Sequence, residues 1–321
     1  MKALMFDQFG SSDVLYYGDS AKPELSPEDV LVETKAIGMN FADVYRRKGN
    51  YHIDGEPPYV LGYEGAGVVV EVGSKISDIK VGDRIAFADV PYANAQMVAV
   101  PYDKAIPLPD AISFEVGASL LLQGLTAQYL SRDSYRIKEG DLVLIHAVAG
   151  GVGQILTQLA KHERAIVIGL TSSESKREKA LANGAGEVFL YHDDWLQQVL
   201  DYSGGNGVNV AYDSVGSTLM DSFRATQTCG TVVFYGMAGG DPEKIDPRML
   251  MDTSKTLVGG DLWHHVTCRE ERIQRASQLF RLISDGELRV NVCKKFKLSE
   301  GKLAHDYLES RKSVGKVLLI P

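Results

Sequence analysis

One stretch constrains this chain more than any other: Asp141-Leu-Val-Leu-Ile-His-Ala-Val-Ala-Gly-Gly-Val-Gly-Gln154, continued by Ile155-Leu-Thr-Gln-Leu-Ala160. Leu142 to Ile145 is an unbroken apolar run, the pattern of a strand buried on both faces. Ala147, Gly150 and Gly153 then make a small-residue turn into an amphipathic helix. Small residues let the backbone approach a diphosphate, and the amides at the helix start can receive its charge. The first glycine of G-x-G-x-x-G is missing, because Val148 holds that position. A tight strand-to-helix turn that binds nothing has the same look, so dinucleotide binding has to be argued from context.

The context follows directly. Ala165-Ile-Val-Ile-Gly-Leu170 reads as a second buried strand, one β-α-β unit further on. NAD sites usually place an acid near the end of this strand to hold the ribose 2′-hydroxyl. Here the strand ends in Thr171-Ser172-Ser173, with Lys176 and Arg177 close behind and Glu174 as the nearest acid. Hydroxyls and a cation suit a 2′-phosphate, which a carboxylate would repel. The reading is NADP rather than NAD.

At 321 residues the chain is long enough for two domains with separate cores. A net charge of −8 opposes a nucleic-acid or anionic-membrane surface. Met1-Lys-Ala-Leu-Met-Phe6 enters a strand directly, which reads as a chain without a signal peptide. Cys229, Cys268 and Cys293 are scattered and odd in number, which excludes a disulfide framework and a cysteine zinc site and suits a reducing cytoplasm. Residues 1–122 read as mostly β, with short strands such as Val30–Ala36, Gly67–Val72, Arg84–Phe87 and Gln96–Val100 and a helical patch from Asn40 to Arg47. Residues 123–260 alternate strand and helix, with strands expected at 142–146, 165–170, 187–190, 208–212, 231–235 and 256–259. Such alternation means a parallel sheet covered on both faces, an α/β fold. Residues 261–321 read as a helix Arg269–Ser284, a helix 299–310 and a strand Lys316–Ile320 that return to the first domain. A cleft between the two domains is the expected place for the chemistry.

Several segments together are similar to the zinc-independent members of the medium-chain dehydrogenase/reductase superfamily, and in particular to the NADPH:quinone oxidoreductases related to zeta-crystallin. They are Ile37-Gly-Met-Asn-Phe-Ala-Asp-Val-Tyr45, Gly62-Tyr-Glu-Gly-Ala-Gly67, Leu122-Gln-Gly-Leu-Thr-Ala127, Val143 to Gly153 and Tyr212-Asp-Ser-Val-Gly216, with the ending Glu309-Ser-Arg311 and Leu318-Leu-Ile-Pro321. The resemblance runs over essentially the whole chain. It implies a GroES-like, mostly-β catalytic domain and a Rossmann doubly wound parallel-sheet domain for the nucleotide, and a homodimer. In zinc-dependent relatives a Cys precedes the helical patch and a His-Glu pair stands at Tyr63-Glu64; here Asn40 and Tyr63 occupy those places. Glu64 alone does not make a zinc site. The chemistry implied therefore needs no Lewis acid.

Hydride transfer from NADPH to a quinone meets that condition. The resemblance carries Asn40, Tyr45 and Tyr51 over as polar residues facing the nicotinamide, where an amide and two phenols can donate hydrogen bonds to the acceptor's oxygens. It carries Thr126 over to the nicotinamide amide, Gly150, Gly151 and Val152 to the diphosphate, and Ser172, Lys176, Tyr191 and Arg311 to the 2′-phosphate. Ser214, Gly236 and Met237 follow later strands, where the adenine and nicotinamide sides should pass. Gln123 departs from the family, which often has Lys there. The alternative activity is reduction of activated carbon–carbon double bonds, as in enones or haloacrylates. A third reading, RNA binding or a structural crystallin-like role, has the acidic balance against it. In Asp261-Leu-Trp-His-His-Val266 the adjacent histidines point about a third of a turn apart on a helix and do not share a metal, and Leu262 and Trp263 read as an apolar rim to the substrate cleft. His146 reads as a satisfied core histidine.

Overall fold

The structure is a computed structural model that describes residues 1–310 and 312–321. The chain begins with β1 (Lys2–Phe6), β2 (Tyr16–Asp19), β3 (Asp29–Met39), α1 (Phe41–Arg47), β4 (Tyr59–Val60), β5 (Glu64–Val72), β6 (Arg84–Ala88), β7 (Met97–Pro101) and β8 (Ile106–Pro107). A long helix, α2 (Phe114–Tyr129), leads into β9 (Leu142–Ile145), α3 (Gly151–His162), β10 (Ile166–Thr171), α4 (Glu174–Ala182), β11 (Glu187–Leu190), α5 (Trp195–Tyr202), β12 (Val208–Asp213), α6 (Leu219–Ala225), β13 (Thr226–Phe234), α7 (Pro247–Thr253) and β14 (Thr256–Gly259). The last elements are α8 (Leu262–His265), α9 (Arg269–Ser284), β15 (Val292–Lys297), α10 (Gly301–Glu309) and β16 (Lys316–Ile320). They form two compact units: Met1–Gln123 with Thr267–Gly286 and Val290–Pro321, and Gly124–Val266 with Glu287–Arg289.

Two features differ from the sequence reading. The mostly-β stretch ends earlier than expected, because α2 begins at Phe114, and the division between the units falls inside this helix. Phe-Glu-Val-Gly-Ala-Ser-Leu-Leu-Leu-Gln-Gly-Leu is mostly apolar, and Glu115, Ser119 and Gln123 alone give it only a weak helical period. Strand β13 starts at Thr226, five residues ahead of its apolar core, and passes through Cys229 in the left-handed region (φ 62°).

The second unit holds a six-stranded parallel sheet in the order β11-β10-β9-β12-β13-β14. Its strands alternate in sequence with helices, and the order reverses at β9, so the carboxyl ends of β9 and its neighbours open one crevice. Leu144, Ile168, Leu170, Val208 and Val232 are buried in the sheet, with Trp195 and Phe223 of the covering helices packed on them.

In the first unit β3 is central, pairing antiparallel with β5, β7 and β16. Strand β16 pairs Val317 with Met39 and Leu318 with Gly38, which carries Lys316 to the end of β3 beside Asn40. Lys316 and Glu64 are fully buried, and their ion pair is 2.6 Å long. Glu64 Oε2 also accepts from Asn40 Nδ2 (2.9 Å), and Oε1 accepts from the Leu122 amide of α2 (2.8 Å). Lys316 Nζ donates in addition to Asn40 Oδ1 (2.8 Å). Gly38 is what lets these elements close: a Cβ there would lie 2.1 Å from the Ala118 carbonyl oxygen and 2.7 Å from Glu64 Oε2. One buried charge deserted by its partner is the costly state. Lys316→Met is therefore expected to lower the unfolding free energy by about 3–5 kcal/mol, and Glu64→Gln/Lys316→Met to recover most of it. Urea denaturation checks this, and a double variant as damaged as the sum of the singles would refute it.

Arg47, also fully buried, ties α1 to α10. Its Nη1 donates to His305 Nδ1 (3.0 Å), its Nη2 to Glu309 (2.6 Å) and its Nε to the Gly10 carbonyl (3.2 Å). Burial first, and then the guanidinium, push the His305 pKa down to about 3. The unfolded imidazole titrates near about 6.5, so below that pH only the unfolded chain takes up the proton. This contribution to stability is complete above about pH 6.5 and drains away toward pH 3, costing about 2 kcal/mol by pH 5. Unfolding curves at pH 7.5 and pH 5 should show a steeper loss for the natural chain than for His305→Gln. Equal losses would remove His305 from the account.

Candidate active site

The turn after β9 is built from the backbone outward. Ala147 takes a left-handed conformation (φ 48°), and the Gly150 amide closes back on the Ala147 carbonyl at 2.7 Å. A Cβ on Gly153 would lie 2.6 Å from the Ala147 oxygen and 2.8 Å from Val148 Cα, so only glycine lets α3 pack this closely under the turn. Val148 explains the missing first glycine. Its side chain is buried and turned toward β10, where a Cβ on Gly169 would stand 2.6 Å from Val148 Cγ1. The space that the motif usually keeps inside the turn is here supplied by the neighbouring strand. Gly150 is the N-cap of α3 and no side chain caps the helix, so the amides of Gly151 and Val152 at its first turn are presented for an anion.

Several of the other residues read from the sequence as cofactor contacts follow the carboxyl ends of the sheet's strands. Ser172 is exposed directly after β10, and Lys176 is half-buried on the first turn of α4. Arg177 pairs with Glu187 at 3.2 Å and Glu174 at 3.7 Å. That pairing also offsets the charge of Glu174, the acid nearest in sequence to the end of β10. Ser214 and Gly236 lie on two loops joined by hydrogen bonds from Ala238 to the Ser214 carbonyl (3.0 Å) and from Gly239 to the Val215 carbonyl (2.8 Å). Met237 is exposed between them, and Thr126 is half-buried on α2. Arg311 lies outside the described residues.

Tyr191 stands at the end of β11, but its hydroxyl turns inward. It accepts the Ala147 amide at 2.9 Å and lies 3.2 Å from His146 Nδ1. His146 follows β9 rather than lying inside it, and its Nε2 is 2.9 Å from Ser222 Oγ. Ser222 in turn donates to Asp213 Oδ2 (2.7 Å), which Thr218 Oγ1 also reaches (2.8 Å). Asp213 and Ser222 were not singled out from the sequence. Asp213 stands inside Tyr212-Asp-Ser-Val-Gly216, where only its place at a strand end hinted at a structural charge.

In the first unit Asn40 is the N-cap of α1, and its amide is committed to the protein. Nδ2 donates to Glu64 Oε2 (2.9 Å) and to the Gly38 carbonyl (3.3 Å), while Oδ1 accepts from Lys316 (2.8 Å) and Gln123 (3.4 Å). Both amide hydrogens of Asn40 are thus engaged within the protein. Tyr45 is half-buried on the next turn of α1, and burial alone raises its pKa, so the phenol stays protonated across the neutral range. Tyr51 is held differently: Arg46 lies 4.9 Å from its ring centroid and 3.5 Å from that of Tyr63, and donates to the His52 carbonyl (3.0 Å). Below them Asp43 is buried; burial pushes its carboxyl up, and its Oδ2 accepts the Asn40 amide at 2.8 Å.

This cluster does not fit a zinc ion. Tyr63 Oη is bonded to Asp54 at 2.7 Å, and Glu64 is enclosed by three donors. The Lys316 ammonium already stands where a divalent cation would need Glu64 and Asn40, and like charge would repel it. Leu262, read as part of an apolar rim, is instead buried at 5% exposure, and the ring of His265 stacks on Tyr129 with centroids 4.7 Å apart.

Comparison with known proteins agrees with this anatomy. Residues 26–136 match the alcohol dehydrogenase GroES-like domain, and residues 151–280 the zinc-binding dehydrogenase family. The chain is 36% identical to a quinone oxidoreductase of Pseudomonas aeruginosa, over 100% of this chain and 99% of that protein. It is 38% identical to a 2-haloacrylate reductase of a Burkholderia species, over 92% and 91% respectively. Its fold superposes on the Escherichia coli quinone oxidoreductase complexed with NADPH with a TM-score of 0.96 at 37% identity, covering 100% of both chains. With relatives this similar along their full length, the chain belongs to the zinc-independent quinone oxidoreductase family of the medium-chain dehydrogenase/reductase superfamily.

Proposed function

We propose that the protein is an NADPH-dependent quinone reductase. The observation that carries this reading is the full-length correspondence with the NADPH-bound Escherichia coli quinone oxidoreductase, together with a phosphate-ready edge of the sheet. NADPH supplies a hydride when bound; the residues of this chain hold it and the acceptor. The Gly151 and Val152 amides, on a turn shaped by Gly150, receive the diphosphate. Ser172 and Lys176 receive the 2′-phosphate, a role that the resemblance also gives to Tyr191 and Arg311. Thr126 serves the nicotinamide amide, and Ser214, Gly236 and Met237 line the path of the remainder.

Reduction of a quinone adds one hydride and one proton in total. Tyr45 is the residue suited to the proton side, since its phenol keeps its hydrogen at neutral pH and the basicity of a phenol matches that of a hydroquinone oxygen. Tyr51, held against Arg46, gives the acceptor a second polar contact. Asn40 acts indirectly, by joining α1 to the Glu64–Lys316 pair. A second reading, reduction of an activated carbon–carbon double bond, is favoured by the 38% identity to the 2-haloacrylate reductase. A homodimer is part of the proposal: β14 is the outer strand of its sheet, and Met251, on the helix α7 that precedes it, is 69% exposed. Three free cysteines suit residence in the cytoplasm.

An acceptor screen tests the activity, following loss of NADPH absorbance with 1,4-benzoquinone, 9,10-phenanthrenequinone, an enone and 2-chloroacrylate. Quinones are expected to turn over fastest, and Tyr45→Phe/Tyr51→Phe to lower kcat about ten- to a hundredfold. Preference for chloroacrylate would select the second reading, and full activity of the double variant would end the proton-donor role.

The cofactor preference has its own test. Lys176→Glu is expected to raise KM for NADPH at least tenfold while leaving KM for NADH within about twofold. Equal losses would remove Lys176 from the 2′-phosphate.

A further inference from the structure

Tyr63 stands where zinc-dependent relatives carry a histidine, and its side chain is turned to a different purpose. Its backbone is fixed by the rest of the first unit. The Leu61, Gly62 and Tyr63 carbonyls accept from the Asn94, Ala93 and Val90 amides at 2.8, 3.0 and 3.3 Å, and β5 begins directly behind at Glu64. The Tyr63 ring is buried, and the buried Arg46 guanidinium lies 3.5 Å from its centroid, close enough for a cation–π contact in a dry setting. Arg46 comes from α1, where its Nη1 is 3.9 Å from the buried Asp43 carboxyl. Tyrosine and arginine are therefore both rooted in the core.

The segment they reach is of another kind. Residues 50–58 lie outside helix and strand, and Gly49 and Gly55 take left-handed backbone, φ 77° and 87°, on either side of Tyr51. Side chains hold what lies between. Arg46 Nε donates to the His52 carbonyl (3.0 Å), and its guanidinium is 4.9 Å from the Tyr51 ring centroid. Two residues on, the Tyr63 hydroxyl donates to Asp54 Oδ2 (2.7 Å) and accepts the Asp54 amide (3.4 Å). Burial first, and then Asp54, push the Tyr63 pKa up, so the phenol keeps the hydrogen that this bond uses. Tyr51 is thus followed by two grips, at His52 and Asp54, and both lead back to the Arg46–Tyr63 pair. A loop residue that meets a ligand is only as well placed as the contacts that hold its backbone. Resting on the reading that Tyr51 contacts the acceptor, we infer that Tyr63 is a positioning residue, which acts through Asp54 and Arg46 to set the 50–55 loop and with it the place of Tyr51.

The bond can be cut at either end. Asp54 is exposed, so Asp54→Ala removes the outer partner with little risk to folding, and Tyr63→Phe removes the inner hydroxyl while keeping the ring beside Arg46. Steady-state kinetics with 9,10-phenanthrenequinone and NADPH are measured for the natural chain, both variants, Tyr51→Ala and Tyr51→Ala/Asp54→Ala, with thermal melts confirming that each is folded. Asp54→Ala and Tyr63→Phe are each expected to raise KM for the quinone about five- to thirtyfold and to leave KM for NADPH within about twofold. With the Tyr51 side chain gone, Asp54→Ala is expected to add less than about twofold, because the bond acts through that side chain. An unchanged quinone KM in Asp54→Ala, an equal rise in KM for NADPH, or full additivity with Tyr51→Ala would each overturn the inference while leaving Tyr51 as an acceptor contact. Tyr51→Ala with the quinone KM of the natural chain would defeat the reading of Tyr51 itself, and this inference with it.

Discussion

A carboxylate in a dry interior must be met by donors from several directions, and each unit of this protein is arranged around one such group. Glu64 is met by an ammonium, a side-chain amide and a helix amide drawn from β16, from the cap of α1 and from the middle of α2. Asp213 is met by two backbone amides and two hydroxyls on the loop and helix that follow β12. The cost of leaving either charge short of partners is several kcal/mol, comparable with a large part of the stability of a whole domain. The elements that carry the chemistry are therefore positioned by satisfying these two groups, and apolar packing fills in around them.

Such networks also decide which polar groups have a hydrogen to offer. Asn40 looks like a free donor when its type is read in isolation, yet its amide hydrogens go to Glu64 and the Gly38 carbonyl. Tyr45 differs in that burial raises its pKa and keeps its phenol protonated. Arg177, adjacent to Lys176, spends its charge on Glu187 and Glu174. Residue type proposes a role, and the direction of each hydrogen decides it.

Much of this was legible in the sequence where the signal is local. The six parallel strands announced themselves as short apolar runs between helices, and the turn after β9 by its small residues. The closing strand Lys316–Ile320 read as a strand, but nothing nearby marked Lys316 as buried, because its partners stand 252 and 276 positions away. Helix α2 was hidden for a different reason, since a mostly apolar segment carries only a weak period. Ser222 is a single hydroxyl on a short helix, and only the fold brings it to His146, 76 residues earlier.

Val148 and Gly169 carry a lesson about fingerprints. The valine is accommodated because the strand beside it has no side chain at the facing position. What the chemistry requires is an empty volume of about one isopropyl group, and either partner in the pair can provide it. Searches that demand glycine at one column will pass over chains that have moved the vacancy sideways. A search framed on paired columns, trading bulk between turn and neighbouring strand, would recover them.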